Sequence, residues 1–252
     1  GRGWDQNDWA VKDFPNKSKL DSVFPDTPVA LQRIDGHALL VNQKALELAK
    51  IDKNTQVEGG EIIKENGKVS GVLIDNAMDP VQFVIPKPDE AMVEKWIRLS
   101  LEIILPRGIT NVHDAWQDPI TVKVLQKMTE KGELPIRVYG MLGSSYPKLL
   151  RQFFNAGHYQ SGNYTIRSAK AFIDGALGSS GAALLEPYSD DQNNCGLILI
   201  SNKEFKDLAL LCRDAGFQLC THAIGDRGNH IVLDMYSEAV KDLKNHRWRI
   251  EH

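Results

Sequence analysis

The sequence predicts an α/β fold in which a parallel sheet is covered by helices. From Pro88 onward, short apolar runs alternate with amphipathic segments, and the links between them are short. This alternation is the signature of strand-helix-strand units, whose strands run parallel because each helical crossover returns the chain to the same edge of the sheet. The sequence from Pro88 onward contains about five such units, and the last of them is a strand without a following helix. A doubly wound sheet and a (β/α)8 barrel both fit this pattern.

The elements after Pro88 follow from apolar periodicity and from start and stop signals. One face of the first predicted helix, "PDEAMVEKWIRLSLEIIL", carries Met92, Val93, Trp96, Ile97, Leu101 and Ile104. Further helices are predicted in "DPITVKVLQKMTEKG", "YPKLLRQFFNAG", "SNKEFKDLALLCRDAG" and "HIVLDMYSEAVKDL". Strands are predicted in "GITNVHDA", "PIRVYGML", "IRSAKAFIDG", "FQLCTHAIGD" and "RWRIEH".

Residues 1–86 are less regular, and we expect them to be an elaboration rather than a self-contained domain. Within them, residues 41–51 have a short helical period. Two β-favouring runs flank Asn66 and Gly67, and Asn-Gly between such runs is the strongest short-range signal for a hairpin. The predicted division is therefore residues 1–86 and residues 87–252.

The composition excludes several classes of protein. Hydrophobic residues make up 42% and charged residues 25% of the chain, and the net charge of −3 gives no reason to expect a nucleic acid or an anionic membrane as partner. No apolar run approaches the roughly 20 residues that span a bilayer. The first residues lack a signal-peptide pattern, which favours the cytoplasm as the compartment. Cys195, Cys212 and Cys220 are too irregularly spaced for a zinc motif or a disulfide framework.

Polar residues that can bind ligands stand at or just beyond the ends of successive predicted strands. They are His113 and Asp114, Lys170 and Asp174, His222 and Asp226, and His252. In a parallel barrel these strand ends converge on one mouth, where active sites lie. Taken singly, a histidine at a strand end is more often a hydrogen-bonded structural residue than a ligand, and a loop-anchoring role is the simpler interpretation of His113. For His222 and His252 together, which lie one strand-helix unit apart, the ligand role and the structural role fit equally well.

Lys170 is the most informative of these residues. Its neighbours Ala169, Ala171, Phe172 and Ile173 predict a buried strand, where a lysine is rarely enclosed without a partner. Burial lowers the pKa of an amine because desolvation disfavours the charged form. A neutral amine can add carbon dioxide and become a carbamate, which can bridge two metal ions. On the local sequence alone, a lysine that pairs with Asp174 or extends to solvent is the favoured interpretation, and the carbamate is the alternative.

These residues, with several longer motifs, resemble the amidohydrolase superfamily, and most of all its N-substituted formamide deformylase-like branch. The matching segments are "GRGWDQNDW", "LQRIDGHALLVNQKAL", "GGEIIKENGKVSGVLIDNA", "GITNVHDA", "AKAFIDGALGSSGAALLEPY", "THAIGDRGNH" and "HRWRIEH". They occur in order over nearly the whole chain, so the set is far more specific than any single motif.

The resemblance implies a distorted (β/α)8 barrel with one or two divalent metal ions, of which zinc is the expected one. Lys170 matches the fourth-strand lysine of that family, which is often carbamylated, and His222 and His252 match the histidines of the fifth and sixth strands. The residues expected to orient these ligands or to face the substrate are Asp174, Asp226, Arg33, Asp35, His37 and His113. The chain would then hold about five strands of an incomplete barrel, from strand two to strand six, after an elaboration that follows strand one.

Two departures from the family pattern bear on activity. The 252 residues contain no His-x-His pair to match the first-strand ligands. No residue matches the eighth-strand aspartate, which is the usual general base of the family. The chain is therefore expected to be an internal fragment of a longer enzyme and to be catalytically incomplete.

The function expected from the resemblance is metal-dependent hydrolysis of an amide-like, non-peptide C–N bond in a small molecule. The alternative is a degenerate barrel or binding domain that has no metal and no activity. An open sheet of about five strands exposes edges that a closed barrel does not have. We therefore hypothesise that self-association into a homo-oligomer covers these edges.

Overall fold

The computed structural model describes all residues from Gly1 to His252 and divides them into two compact units. The first unit consists of Gly1–Pro86, Ile173–Ser201 and Ala223–His230. The second unit consists of Lys87–Phe172, Asn202–His222 and Ile231–His252. Each unit therefore combines segments that are distant in the sequence. None of the helices is both long enough and apolar enough to cross a membrane.

The first unit is built on a five-stranded sheet, which is more regular structure than the sequence pattern indicated. Its elements are β1 (Arg2–Trp4), α1 (Ser18–Val23), β2 (Ala30–Arg33), β3 (Ala38–Val41), α2 (Gln43–Leu48), β4 (Gly60–Glu65), β5 (Lys68–Asp75) and α3 (Asp79–Val84). The strand order is β1-β2-β3-β5-β4, parallel between β1 and β2 and antiparallel elsewhere. Strands of three or four residues are too short to show a clear alternating pattern, which is why β1 to β3 escaped the sequence interpretation.

The predicted hairpin is confirmed as β4 and β5. Glu65 pairs with Lys68, and the two residues between them, Asn66 and Gly67, have φ angles of 52° and 76°. Positive φ at both central positions is what a two-residue type I′ turn requires, because only that twist matches the twist of the flanking strands. Asn and Gly are the residues that tolerate this conformation best.

The central strand β3 buries both of its faces. Leu39 and Val41 pack in one apolar cluster with Leu46 of α2, whereas Ala38 and Leu40 pack in a second cluster. Successive strand residues point to opposite faces of a sheet, so four consecutive apolar residues can serve two cores at once.

The second unit contains the predicted parallel sheet. Its elements are α4 (Glu90–Ile104), β6 (Asn111–Gln117), α5 (Pro119–Glu130), β7 (Arg137–Gly143), α6 (Pro147–Ala156), β8 (Tyr159–Ser161), β9 (Tyr164–Phe172), α7 (Asn202–Asp214), β10 (Gln218–His222), α8 (Asp226–Val240, which begins in the first unit) and β11 (Arg249–Glu251). The strand order is β11-β10-β9-β7-β6, with every pair parallel, and β8 adds to β9 in the antiparallel sense. Five parallel strands with helical crossovers form about half of a (β/α)8 barrel, which confirms the predicted fold class.

Helix α4 begins where the sequence predicted but buries only part of the predicted apolar face. The side chain of Asp89 caps it by accepting a hydrogen bond from the Met92 amide at 2.8 Å. Val93 and Leu101 are buried, whereas Met92 and Trp96 are half exposed. Periodicity shows that a helix is amphipathic, but its neighbours, here α5, decide how much of the apolar stripe is covered.

Substitutions in α2 test the core of the first unit. Leu46 is 1% exposed and Leu48 is 50% exposed, although they lie in the same short helix. We expect Leu46→Ala to lower the free energy of unfolding by about 2–5 kcal/mol, because it leaves a cavity. Leu48→Ala is the matched control and should change it by less than about 1 kcal/mol. Urea unfolding followed by circular dichroism measures both, and equal losses would contradict this description of the core.

Candidate functional site

Three of the predicted ligand residues stand at one end of the parallel sheet in the second unit. Lys170 of β9 pairs in register with Cys220 of β10. Two residues further along, His222 pairs with Phe172 on one side and with Glu251 of β11 on the other. His252 directly follows β11. Because neighbouring parallel strands end at the same edge of a sheet, this register places all three residues at its C-terminal end.

Lys170 is buried, as predicted, with 2% of its surface exposed. Its Nζ donates a hydrogen bond to the Ala171 carbonyl at 3.3 Å and lies 3.7 Å from the centre of the Phe172 ring. Desolvation lowers the pKa of Lys170 from 10.5 to about 8, and the charges of Glu251 and Cys220 oppose this shift. A substantial fraction of the amine is therefore neutral near physiological pH and can act as a nucleophile or ligand.

The two histidines contact each other at the strand ends. The ring centres of His222 and His252 are 4.7 Å apart in an edge-to-face arrangement, and the ring of Phe172 packs 4.9 Å from His222 on the other side. His222 is buried, and His252 is exposed. Neutral imidazole nitrogens are common ligands of zinc and related divalent ions.

No group of three or more His, Cys, Asp or Glu side chains in the chain is arranged to hold a metal ion. The second unit offers two histidines and a lysine, and lysine ligates a metal only when it is neutral or carbamylated. The lowered pKa of Lys170 is therefore the property that makes a three-residue donor set chemically reasonable.

His113 lies away from this end of the sheet. Strand β6 continues to Gln117, so His113 is the third of its seven residues and does not stand at the strand end as the sequence suggested. Its Nδ1 accepts a hydrogen bond from Arg249 Nη2 at 3.2 Å, and its ring centre is 5.0 Å from that of Tyr139. Arg249 is the first residue of β11, so His113 lies towards the amino-terminal end of the sheet.

In the first unit, Arg33 is buried and fully engaged by its own neighbours. It donates hydrogen bonds to Gln6 at 2.8 Å, Asp35 at 2.5 Å and Asp5 at 2.6 Å. Asp35 also accepts a hydrogen bond from the His37 amide at 3.0 Å. A buried guanidinium needs hydrogen-bonded carboxylate partners of this kind, because burying an unpaired charge costs folding free energy. Arg33 and Asp35 thus fix the turn between β2 and β3.

His37 is held by a carboxylate that the sequence interpretation missed. Its Nδ1 lies 2.6 Å from Oδ1 of Asp75, which is buried. Burial raises the pKa of Asp75, and the hydrogen bond and charge of His37 oppose that increase. When Asp75 is ionised, the His37 proton on Nδ1 is fixed and the ring is held in one orientation. Asp75 ends the apolar strand β5, so the strand-end rule applied to the later strands would have found it.

Two glycines of the long loop after β9 allow a close approach to Asp75. A Cβ atom at Gly175 would lie 2.1 Å from Asp75 Oδ2, and one at Gly181 would lie 2.4 Å from the same atom. This oxygen is buried and accepts no hydrogen bond. Asp75 itself has a φ of 49°, a region that non-glycine residues rarely adopt. Glycine is thus required at both positions to accommodate a strained, buried carboxylate.

Asp174 organises two loops of the first unit. Its Oδ2 accepts hydrogen bonds from the amides of Ala183 at 3.0 Å and Gly225 at 2.7 Å, and its Oδ1 accepts one from Ile224 at 3.0 Å. Burial raises the pKa of Asp174, and the three backbone hydrogen bonds lower it. One carboxylate therefore ties the loop that follows β9 to the turn that follows β10.

Asp226 makes a similar but more exposed connection. Its Oδ1 accepts hydrogen bonds from the Leu185 amide and the Arg227 amide, each at 2.8 Å. It is the first residue of α8, where an acidic side chain satisfies amides at the helix start.

Comparisons of the chain with a family model and with curated proteins indicate the same family. A model of the amidohydrolase family matches residues 1–252. The curated relatives include the protein LONG AFTER FAR-RED 3 of Arabidopsis thaliana, which is 32% identical over 100% of this chain and 46% of its own length. They also include the N-substituted formamide deformylase of Arthrobacter pascens, 25% identical over 92% of this chain and 44% of its own length.

Solved structures agree with the sequence comparison. An uncharacterised metal-dependent hydrolase from Pyrococcus horikoshii superposes with a TM-score of 0.69 and 25% identity, over 100% of this chain and 49% of its own. The chain thus spans about half the length of the relatives and structures that it matches.

The bonds of Asp174 can be tested with an isosteric change. Asp174→Asn replaces one acceptor oxygen by a donor, so at least one of the three amides loses its partner. We expect the free energy of unfolding to fall by about 1–3 kcal/mol. Amide hydrogen exchange at residues 183, 224 and 225 should become faster. Asp190→Asn, at an exposed position of the same loop, is the control. Unchanged exchange at all three amides would contradict this role of Asp174.

Proposed function

The chain belongs to the amidohydrolase family, as its motifs predicted, and on this premise we propose that it forms the middle part of a metal-dependent hydrolase of amide-like, non-peptide C–N bonds. Similarity to metal-dependent hydrolases supports a divalent ion as cofactor. Because the chain is similar to an N-substituted formamide deformylase, we propose small N-substituted amides as its substrate class. The whole protein's activity is part of this proposal, since the chain covers about half of its relatives.

The observation that carries the proposal is the alignment of Lys170, His222 and His252 on three adjacent strand ends. Two imidazoles already in contact and a desolvated amine are a donor set that suits zinc, which tolerates three protein ligands and an open position. In this proposal these three residues hold the ion. When bound, a divalent cation supplies Lewis-acid chemistry, polarising a carbonyl group and making water more acidic.

Lys170 has a specific task in the proposed site. Its neutral amine adds to the carbon of carbon dioxide. The N–C bond forms as one C=O π bond breaks with its electrons moving to oxygen, an N–H proton passes to water, and the product is a carbamate anion. The low pKa of Lys170 favours this step because it supplies the free electron pair. Phe172 covers the amine and limits its access to water. The carbamate would give the site two oxygen donors where the unmodified lysine has one nitrogen.

The polar residues of the first unit divide into two roles in this proposal. The complete hydrogen-bonding of Arg33 and Asp35 supports a loop-structuring role for both. His37 is the better candidate to face the substrate, because the Asp75 carboxylate fixes its ring and tautomer. Asp174 and Asp226 bond backbone amides, which supports a role in positioning loops.

We further propose that the 252 residues alone hydrolyse substrate weakly or not at all. No residue matches the family's general-base aspartate or its first-strand His-x-His pair. A water that is made more acidic still needs an acceptor for its proton and a donor for the leaving amine. Activity therefore requires catalytic residues in addition to the proposed ligands Lys170, His222 and His252.

A zinc titration of this chain tests the ligand set directly. Competition with a chromophoric chelator should show one zinc site, and His222→Ala or His252→Ala should weaken it by about tenfold or more. His252 is exposed, so its replacement leaves the packing intact. His230→Ala, which removes another exposed histidine, should leave zinc affinity unchanged. Equal affinities in all variants would refute the ligand set and favour a metal-free binding domain.

The role of Lys170 can be separated from that of the histidines in the full-length gene product. Lys170→Ala should reduce hydrolysis of a panel of N-substituted formamides, because the carbamate oxygens that would hold the metal are lost. A short carboxylic acid should restore part of the activity by supplying those oxygens, whereas a short amine should not. Full activity without any addition would rule out the carbamate.

A further inference from the structure

A second polar cluster lies on the same face of the parallel sheet, at its amino-terminal end. A pocket of about 350 Å³ is lined by His113, Tyr139, Arg167, Gln218, Arg247 and Arg249. All six residues belong to the second unit. Gln218 and Arg249 are the first residues of β10 and β11. We refer to this cavity as the arginine pocket.

The strand register shows which face the pocket occupies. Arg249 pairs with Cys220, which also pairs with Lys170. Residues two apart on a strand share a face, so Gln218, Cys220 and His222 project to the same side. The arginine pocket and the candidate metal ligands Lys170 and His222 thus share one face. His252 is three positions after Arg249, which corresponds to roughly 10 Å along the strand direction.

The pocket has a strong excess of positive charge. Three of its six lining residues are arginines, and none is acidic. Glu251 pairs with Nε of Arg249 at 2.6 Å, whereas Arg167 and Arg247 form no ion pair. The Nε atom of Arg167 is buried and has no hydrogen-bond partner. A buried guanidinium donor without an acceptor is costly, so the site favours a ligand that supplies one.

Side-chain hydrogen bonds between the lining residues hold the pocket in its shape. Arg249 Nη2 donates to His113 Nδ1 at 3.2 Å, and the guanidinium lies 5.9 Å from the centre of the Tyr139 ring. The Tyr139 hydroxyl donates to Gln218, and the Gln218 amide donates in turn to the carbonyl of Arg247. A connected network of this kind fixes the donors before a ligand arrives, which reduces the ordering cost of binding.

We propose that the arginine pocket binds a small oxyanion, either a phosphate or a carboxylate group. The planar guanidinium fork matches the paired oxygens of both groups, and hydrogen bonds between charged partners are the strongest in proteins. A volume of about 350 Å³ accommodates a small anionic molecule. The site is separate from the proposed metal ligands and takes a ligand of opposite charge.

Isothermal titration calorimetry of the metal-free chain tests this site. Inorganic phosphate and succinate are titrated separately at one ionic strength, after any chelator has been removed by desalting. We expect at least one of the two anions to bind. Arg167→Gln and Arg247→Gln should each weaken that binding by about tenfold, because each removes a charged donor. Arg247 is exposed, so its replacement leaves the core intact.

The matched control is Arg151→Gln, which removes one exposed arginine on α6 in the same unit. Its affinity for the anion should stay within about twofold of the unmodified chain, since screened surface charges act weakly at a distance. Tighter binding of phosphate would assign the site to phosphoryl groups, and tighter binding of succinate would assign it to carboxylates. The proposal fails if neither anion binds, or if Arg151→Gln weakens binding as much as Arg247→Gln.

Discussion

The parallel register of β9, β10 and β11 is the constraint on which the candidate site of the second unit depends. Backbone hydrogen bonds fix Lys170 beside Cys220 and His222 between Phe172 and Glu251. A shift of one residue would turn each side chain to the opposite face and separate the two histidines. The same register aligns Gln218 and Arg249 at the other end of the strands. One set of hydrogen bonds therefore positions both polar clusters.

The sheet face has opposite chemical character at its two ends. The C-terminal end presents imidazoles and a desolvated amine, which suit a cation, and the amino-terminal end presents guanidinium groups, which suit an anion. Burial decides the behaviour of Lys170, because the loss of solvation lowers its pKa more than nearby acidic charges raise it. An arginine stays charged in such surroundings, whereas a lysine loses its proton more readily.

The first unit depends on buried carboxylates as well as on the buried guanidinium of Arg33. Asp174 joins two loops through three backbone amides, and Asp75 orients His37. The close approach of Gly175 and Gly181 to Asp75 explains why this loop contains glycine where a side chain would collide with the carboxylate. The loop sequence is thus shaped by a residue roughly a hundred positions earlier.

The sequence by itself determined the alternation of strands and helices after Pro88, the Asn66-Gly67 hairpin, the burial of Lys170 and the family, since each depends on local periodicity, turn chemistry or ordered motifs. Tertiary structure decided which face of α4 is covered, how far β6 extends, that Asp75 holds His37, and that three arginines line one pocket. These features arise from contacts between residues far apart in the chain. Local patterns do not encode them, because strand register and loop packing are settled only when the whole chain folds.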